Sequence, residues 1–217
     1  MTANASDSRA VLIRLLGISF VTAAAVGAFE VGLSLRGVQT LGMTTTEVAL
    51  MFTECSLVML VVQAIVFSPL VHPEATRWLL TPGLIILAAG LVLVPFATTT
   101  ITMALAVALV AASAGVLSPI ATYWISLGAG ERQGTALGRQ TAAASLGQAV
   151  GSAAGGLLFG AAFVPNAAFT LTAAMVLASL GASIGIPRLL VNSRTPPSRM
   201  TGPGDSGSSS RGIGERR

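Results

Sequence analysis

The chain has 217 residues, of which 53% are hydrophobic and only 9% charged. A water-soluble domain carries about 25% charged residues, so this composition belongs to a membrane protein. The net charge of +4 does not signal nucleic-acid binding: every cation is an arginine, spread over loops and tail without aromatic stacking partners.

Residues 1–10 are polar and precede no cleavage-site pattern, so they read as a polar cytoplasmic N-terminus and not as a signal peptide. Six apolar spans are predicted between residues 11 and 190. Val11 to Leu35 is long enough to cross a bilayer. Arg14 near its start can snorkel to the interface, whereas Glu30 near its end reaches water less easily. Arg36 to Thr46 reads as a polar turn, with Thr46 and Glu47 placed to cap the second span. That span runs to Val71 and holds Glu54, Cys55 and Gln63. A short charged loop, His72 to Arg77, follows.

Trp78 to Phe96 is uniformly apolar, with Pro82 in its first turns and Trp78 as an interfacial anchor. Ala97 to Thr100 is a turn. The fourth span, Ile101 to Leu127, carries Ser113, Ser118 and Tyr123, and Pro119 should kink it. The fifth fills Glu131 to Gly160. Pro165-Asn166 opens a sixth, ending at Ile186-Pro187. Residues 191–217 are rich in Ser, Gly, Pro and Arg and are expected to form a disordered cytoplasmic tail. No alternation of period two occurs, so the chain is all-α and not a barrel.

If the spans alternate, Arg9, Arg14, His72, Arg77, Arg132, Arg139, Arg188 and the tail arginines share one side. The opposite loops hold only Arg36. The positive-inside rule then puts both termini in the cytoplasm. Spans three and six contain no ionisable or amide side chain and are expected to face lipid. The polar residues of the others should face a polar or protein-filled space.

The fifth span is the most specific stretch. Gly147, Gly151 and Gly155 fall four apart, which on a helix makes one slowly drifting stripe. Such a stripe lets a neighbouring helix approach backbone to backbone. Gly138, eight residues, Gly147, three residues, Gly151, Ser152, two residues, then Gly155-Gly156 resembles the glycine motif of drug–proton antiporters of the major facilitator superfamily. The family pattern has proline where this chain has Ser152. The preceding turn, Glu131, Arg132, Gln133 and Gly134, resembles the cytoplasmic link between the tenth and eleventh helices of tetracycline-type efflux proteins.

The resemblance implies the C-terminal half of such a transporter: six transmembrane helices as two inverted three-helix repeats, whose first and second helices line a cavity. It implies a bacterial inner membrane protein that moves a small molecule by alternating access, with efflux driven by protons. It also implies a second six-helix half. That half could be a separate chain, a second copy or a missing N-terminal half; the polar decapeptide after Met1 resembles the link between two halves and favours the last. The competing expectation is a membrane subunit or truncated remnant that only scaffolds a partner.

Glu30 and Glu54 lie about five and seven residues inside the outer ends of their spans, hence at similar depth. Two carboxylates at one depth could share a coupling proton, or could titrate singly in a wet vestibule. Gln63, Tyr123 and Gln148 are candidates to bind substrate, and are equally able to hold helices together. One cysteine and one histidine exclude a disulfide within the chain and a metal cluster built on them. No cofactor motif is present. Gly181, Ser183 and Gly185 match a serine-nucleophile pattern, but inside an apolar helix rather than on the strained turn that chemistry needs, so no enzyme is expected.

Overall fold

The computed structural model of the chain describes residues 2–68, 76–160 and 167–184. Among these there are six α-helices and no strand: α1 (Thr2–Gln39), α2 (Thr45–Val66), α3 (Thr76–Leu93), α4 (Thr100–Ala129), α5 (Gln133–Gly160) and α6 (Ala167–Ile184). Two 3-10 turns, Val94–Phe96 and Gly130–Arg132, follow α3 and α4. Four stretches are long and apolar enough to cross a membrane: Arg9–Gln39, Thr45–Val66, Trp78–Phe96 and the 60-residue Thr100–Phe159, which contains both α4 and α5. Phe169–Gly181 is a shorter apolar helix. The loop around His72, Arg188, the tail and the ends of the sixth span lie outside the described residues.

The helix starts are set by local chemistry. Thr44, not Thr46, caps α2: its side chain accepts from the Glu47 amide, and the Glu47 carboxylate accepts from the Thr44 amide at 2.7 Å. Thr99 and Thr102 make the same reciprocal box before α4. Each box satisfies backbone donors that a helix end leaves open. Gly42 supplies the left-handed residue (φ 64°) between α1 and α2.

α1 extends past the expected turn, so Arg36 is not a loop charge. It is a buried residue of the last helical turn. Its guanidinium donates to the carbonyls of Pro95 (2.8 Å) and Ala97 (3.3 Å), at the end of the third span. There it satisfies acceptors that the helix terminus cannot.

The core is assembled by four helix crossings, each opened by glycine. α1 lies parallel to α5 with its backbone in the glycine stripe. A side chain on Gly147 would strike the Phe20 carbonyl, one on Gly151 the Ala24 carbonyl, and one on Gly155 would come within 3.0 Å of Ala28. The partners step by four on both helices, so the stripe is matched turn by turn. Gly138 meets nothing and Gly156 only touches Val31, so the five-glycine motif divides into three packing glycines and two others; Gly134 of the preceding turn motif also meets nothing.

α3 crosses α4 antiparallel, with Gly83 against Leu117 and Gly90 against Val110. α2 meets α4 where Gly115 admits the Met59 backbone. Phe169 of α6 fills the space left by Gly32 of α1. Leu84, Leu87, Leu91, Val107, Phe29 and Phe169 form the centre of the core.

The third span does not simply face outward. Its apolar window is 44% buried within the chain, because α3 packs on both α4 and α6. The least covered is α2, whose window is only 17% buried.

Candidate functional site

The α1–α5 crossing that the glycines permit carries the one described hydrogen bond that joins a carboxylate of one span to another span. Gly27 lets α5 so close that a side chain there would lie 2.6 Å from the Gln148 carbonyl. One turn further along α1, Gln148 Nε2 donates to Glu30 Oε2 at 2.9 Å. Glu30 is half-buried, and its backbone carbonyl also accepts from Ser34 Oγ. The register of the two helices makes this pair, because the stripe fixes which residue of α5 faces Glu30.

Glu54 sits on α2, also half-buried. Among the described residues no hydrogen bond joins it to Glu30. Buried Cys55 lies within electrostatic reach of both carboxylates, so the two acids flank one region without touching.

Beginning one turn along α1 from Glu30, α1, α2, α4 and α5 border a cavity of about 560 Å³ that is open on one side. That size suits a small organic molecule. α1 gives it Ser19, Thr22 and Val26, and α2 gives Met59 and Gln63. α4 contributes Leu117 and Ser118. α5 contributes Gln140, Ser145 and Gln148. Gln140 is buried and donates to Thr122 Oγ1 at 2.8 Å, which ties α5 to α4 beside the cavity.

Of the substrate-cavity candidates, Gln63 and Gln148 line this space together. Tyr123 does not; it lies on α4 with its ring edge-on to Trp124. Glu131 and Arg132 form an exposed turn between α4 and α5, and Gly134 lies in the first turn of α5; none of the three lines the cavity. Gly181 and Ser183 lie within helix α6, which is not the strand-to-helix turn a nucleophile needs.

Gln148 belongs to both features. Its side chain lines the cavity and also holds Glu30. Two further lining residues, Ser19 and Thr22, have no counterpart among the sequence-derived candidates. The available signal was their spacing of three, which puts both hydroxyls on one face of α1.

No curated protein matches the chain. The sequence profile of the Major Facilitator Superfamily matches it over residues 15–211, nearly its whole length. A bundle of apolar helices around a mostly apolar cavity with a few polar side chains accords with that match, and the chain belongs to the Major Facilitator Superfamily.

Proposed function

We propose that this membrane transporter of a small molecule exports its substrate in exchange for protons, with Glu30 as the proton carrier and the cavity between α1, α2, α4 and α5 as its share of the substrate site. The observation that carries the reading is the double role of Gln148, which lines the cavity and donates to Glu30. An ionised Glu30 only accepts, so it fixes the Gln148 amide with its NH2 toward the carboxylate. A protonated Glu30 can donate, and so can hold the amide the other way round. The amide group presented to the cavity then depends on the proton. Glu54 serves as a second acid on the same side, titrating on its own.

The chain acts as one six-helix bundle of two inverted three-helix repeats. The helix packing supports this. α1 packs on α5 as α4 packs on α2, and α3 packs on α4 as α6 packs on α1. Exchanging the first three helices with the last three leaves the main pairings unchanged, as two related repeats require. A second six-helix bundle covers the cavity face and α2, and rocking between the two gives alternating access. The low burial of α2 supports such a cover. Both termini and the Glu131–Gly134 turn lie in the cytoplasm of a bacterial inner membrane, because the parallel α1–α5 register gathers Arg9, Arg14, Arg132 and Arg139 at one end.

The test is proton movement caused by substrate. The protein, purified with whatever partner accompanies it, is placed in vesicles containing a pH dye, and small amphipathic molecules are added in turn. A transporter gives a saturable pH change with some of them. A scaffold subunit gives none at any concentration, which is the competing reading.

A further inference from the structure

From two buried hydroxyls in the cavity wall, we infer that this half-site binds an uncharged substrate, an amphipathic molecule whose hydroxyl or carbonyl group is held by Ser19 and Thr22. The inference rests on the cavity being a binding site for the transported molecule.

Serine and threonine in an apolar helix ordinarily bond back to their own backbone. This chain follows the rule at Ser34, Thr53, Ser56, Ser113 and Thr122, each of which donates to the carbonyl four residues earlier. Ser19 and Thr22 depart from it. They are 8% and 6% exposed, and neither Ser19 Oγ nor Thr22 Oγ1 has a hydrogen-bond partner among the described residues. Both residues border the cavity, but their oxygens are turned away from its open space, and a rotation about χ1 is needed to present either one to a molecule inside. A buried hydroxyl without a partner is unfavourable, so two of them side by side mark a place built to meet a polar group from outside the chain.

The rest of the lining states the class. Gln63 and Gln148 add amides from α2 and α5, each with donors and an acceptor. Val26, Met59 and Leu117 add apolar surface. No Asp, Glu, Arg or His side chain lines the cavity. Glu30 stands behind Gln148 and does not reach the lining, and Glu54 is likewise outside it. On this side of the site a cation would meet no counter-charge and an anion no cationic donor, so these four helices compensate neither for its lost hydration. A neutral hydroxyl or carbonyl satisfies the two orphaned hydroxyls without that loss.

Photolabelling tests this without requiring transport. Three azi-octane photolabels are used that differ only in the head: alcohol, primary amine or carboxylate. The intact protein is labelled in lipid nanodiscs and mapped by mass spectrometry. The readout is label on Val26, Met59 and Leu117 relative to outward-facing Ile101 and Leu105, which cancels partition into lipid. The alcohol should favour the cavity residues at least several-fold over both charged heads. Ser19→Ala and Thr22→Val should each cut its cavity share about two- to tenfold, the worth of one ordinary hydrogen bond. Ser19→Thr should retain it. Equal or greater cavity labelling by a charged head overturns the assignment, and that comparison needs no variant. So does unchanged alcohol labelling in Ser19→Ala and Thr22→Val. A vesicle assay without transport alongside head-selective labelling would remove the transport reading and leave this site standing.

Discussion

Gln148 Nε2 lies 2.9 Å from Glu30 Oε2, and the same Gln148 side chain forms part of the cavity wall. One amide therefore touches both the acid and the space a substrate would occupy. Gln148→Leu keeps the volume but removes the donor. A hydrogen bond to a charged group is worth about 1.5–3 kcal/mol, so proton-driven transport should fall roughly 10- to 100-fold while membrane insertion is kept. Gln148→Asn should fall less. Initial rates in vesicles under a fixed pH gradient give the comparison, and a Gln148→Leu rate equal to the parent's would separate the amide from coupling.

The glycine motif should split by position. A Cβ at Gly151 would collide with the Ala24 carbonyl, and one at Gly147 with that of Phe20. Neither backbone can yield without moving α1 from α5. Gly151→Ala should thus destabilise by roughly 1–3 kcal/mol, as overpacking does. Gly138→Ala and Gly134→Ala meet open space and should be neutral or slightly stabilising, since alanine is the better helix former. Thermal unfolding in detergent ranks the three. Equal losses at Gly151 and Gly138 would mean that the matched stripe does not govern packing.

Orientation follows from exposed positions at opposite ends of the bundle. Gly42 is a poor site for a reporter, because its φ of 64° would strain a cysteine. Thr40 is exposed beside it, and Glu131 is exposed in the opposite turn. In a Cys55→Ala background, Thr40→Cys should react with an impermeant thiol reagent in intact cells, and Glu131→Cys should react only after the membrane is broken. The reverse pattern would invert the topology.

The need for a second bundle is tested by mass. α2 exposes Leu50, Leu57, Leu60, Val61 and Ile65, and with α1, α4 and α5 it borders the cavity. Native mass spectrometry of the protein released from its own membrane should find twelve helices' worth of protein in one particle. That total could be a paired chain, two copies or one longer chain. A 21.8 kDa particle that still transports would refute the requirement.

Helix identities, the small-residue stripe and the separate candidacies of Glu30 and Gln148 were legible in the sequence, because hydropathy, spacing of four and the rarity of intramembrane polar groups are local properties. The contact between Glu30 and Gln148 was not, since it depends on how α1 and α5 slide past each other. Arg36 was misread as a loop charge because its two acceptors, on Pro95 and Ala97, come from a segment about sixty residues away. The Thr44 cap was legible in principle: Thr44 precedes Glu47 by three, which is the capping-box spacing, and Thr46 does not. Ser19 and Thr22 were passed over because most helical hydroxyls serve their own backbone, and only the fold reveals which do not.

Glu30→Gln in reconstituted vesicles tests the central claim most directly. Glutamine fills the same space and still bonds Gln148, but carries no titratable proton. Two assays are run on the same preparation: substrate uptake driven by a pH gradient, and exchange of labelled for unlabelled substrate at equal pH. The account predicts that Glu30→Gln loses the gradient-driven accumulation and keeps the exchange, with Glu54→Gln retaining both. Accumulation by Glu30→Gln at the parent's rate would contradict it.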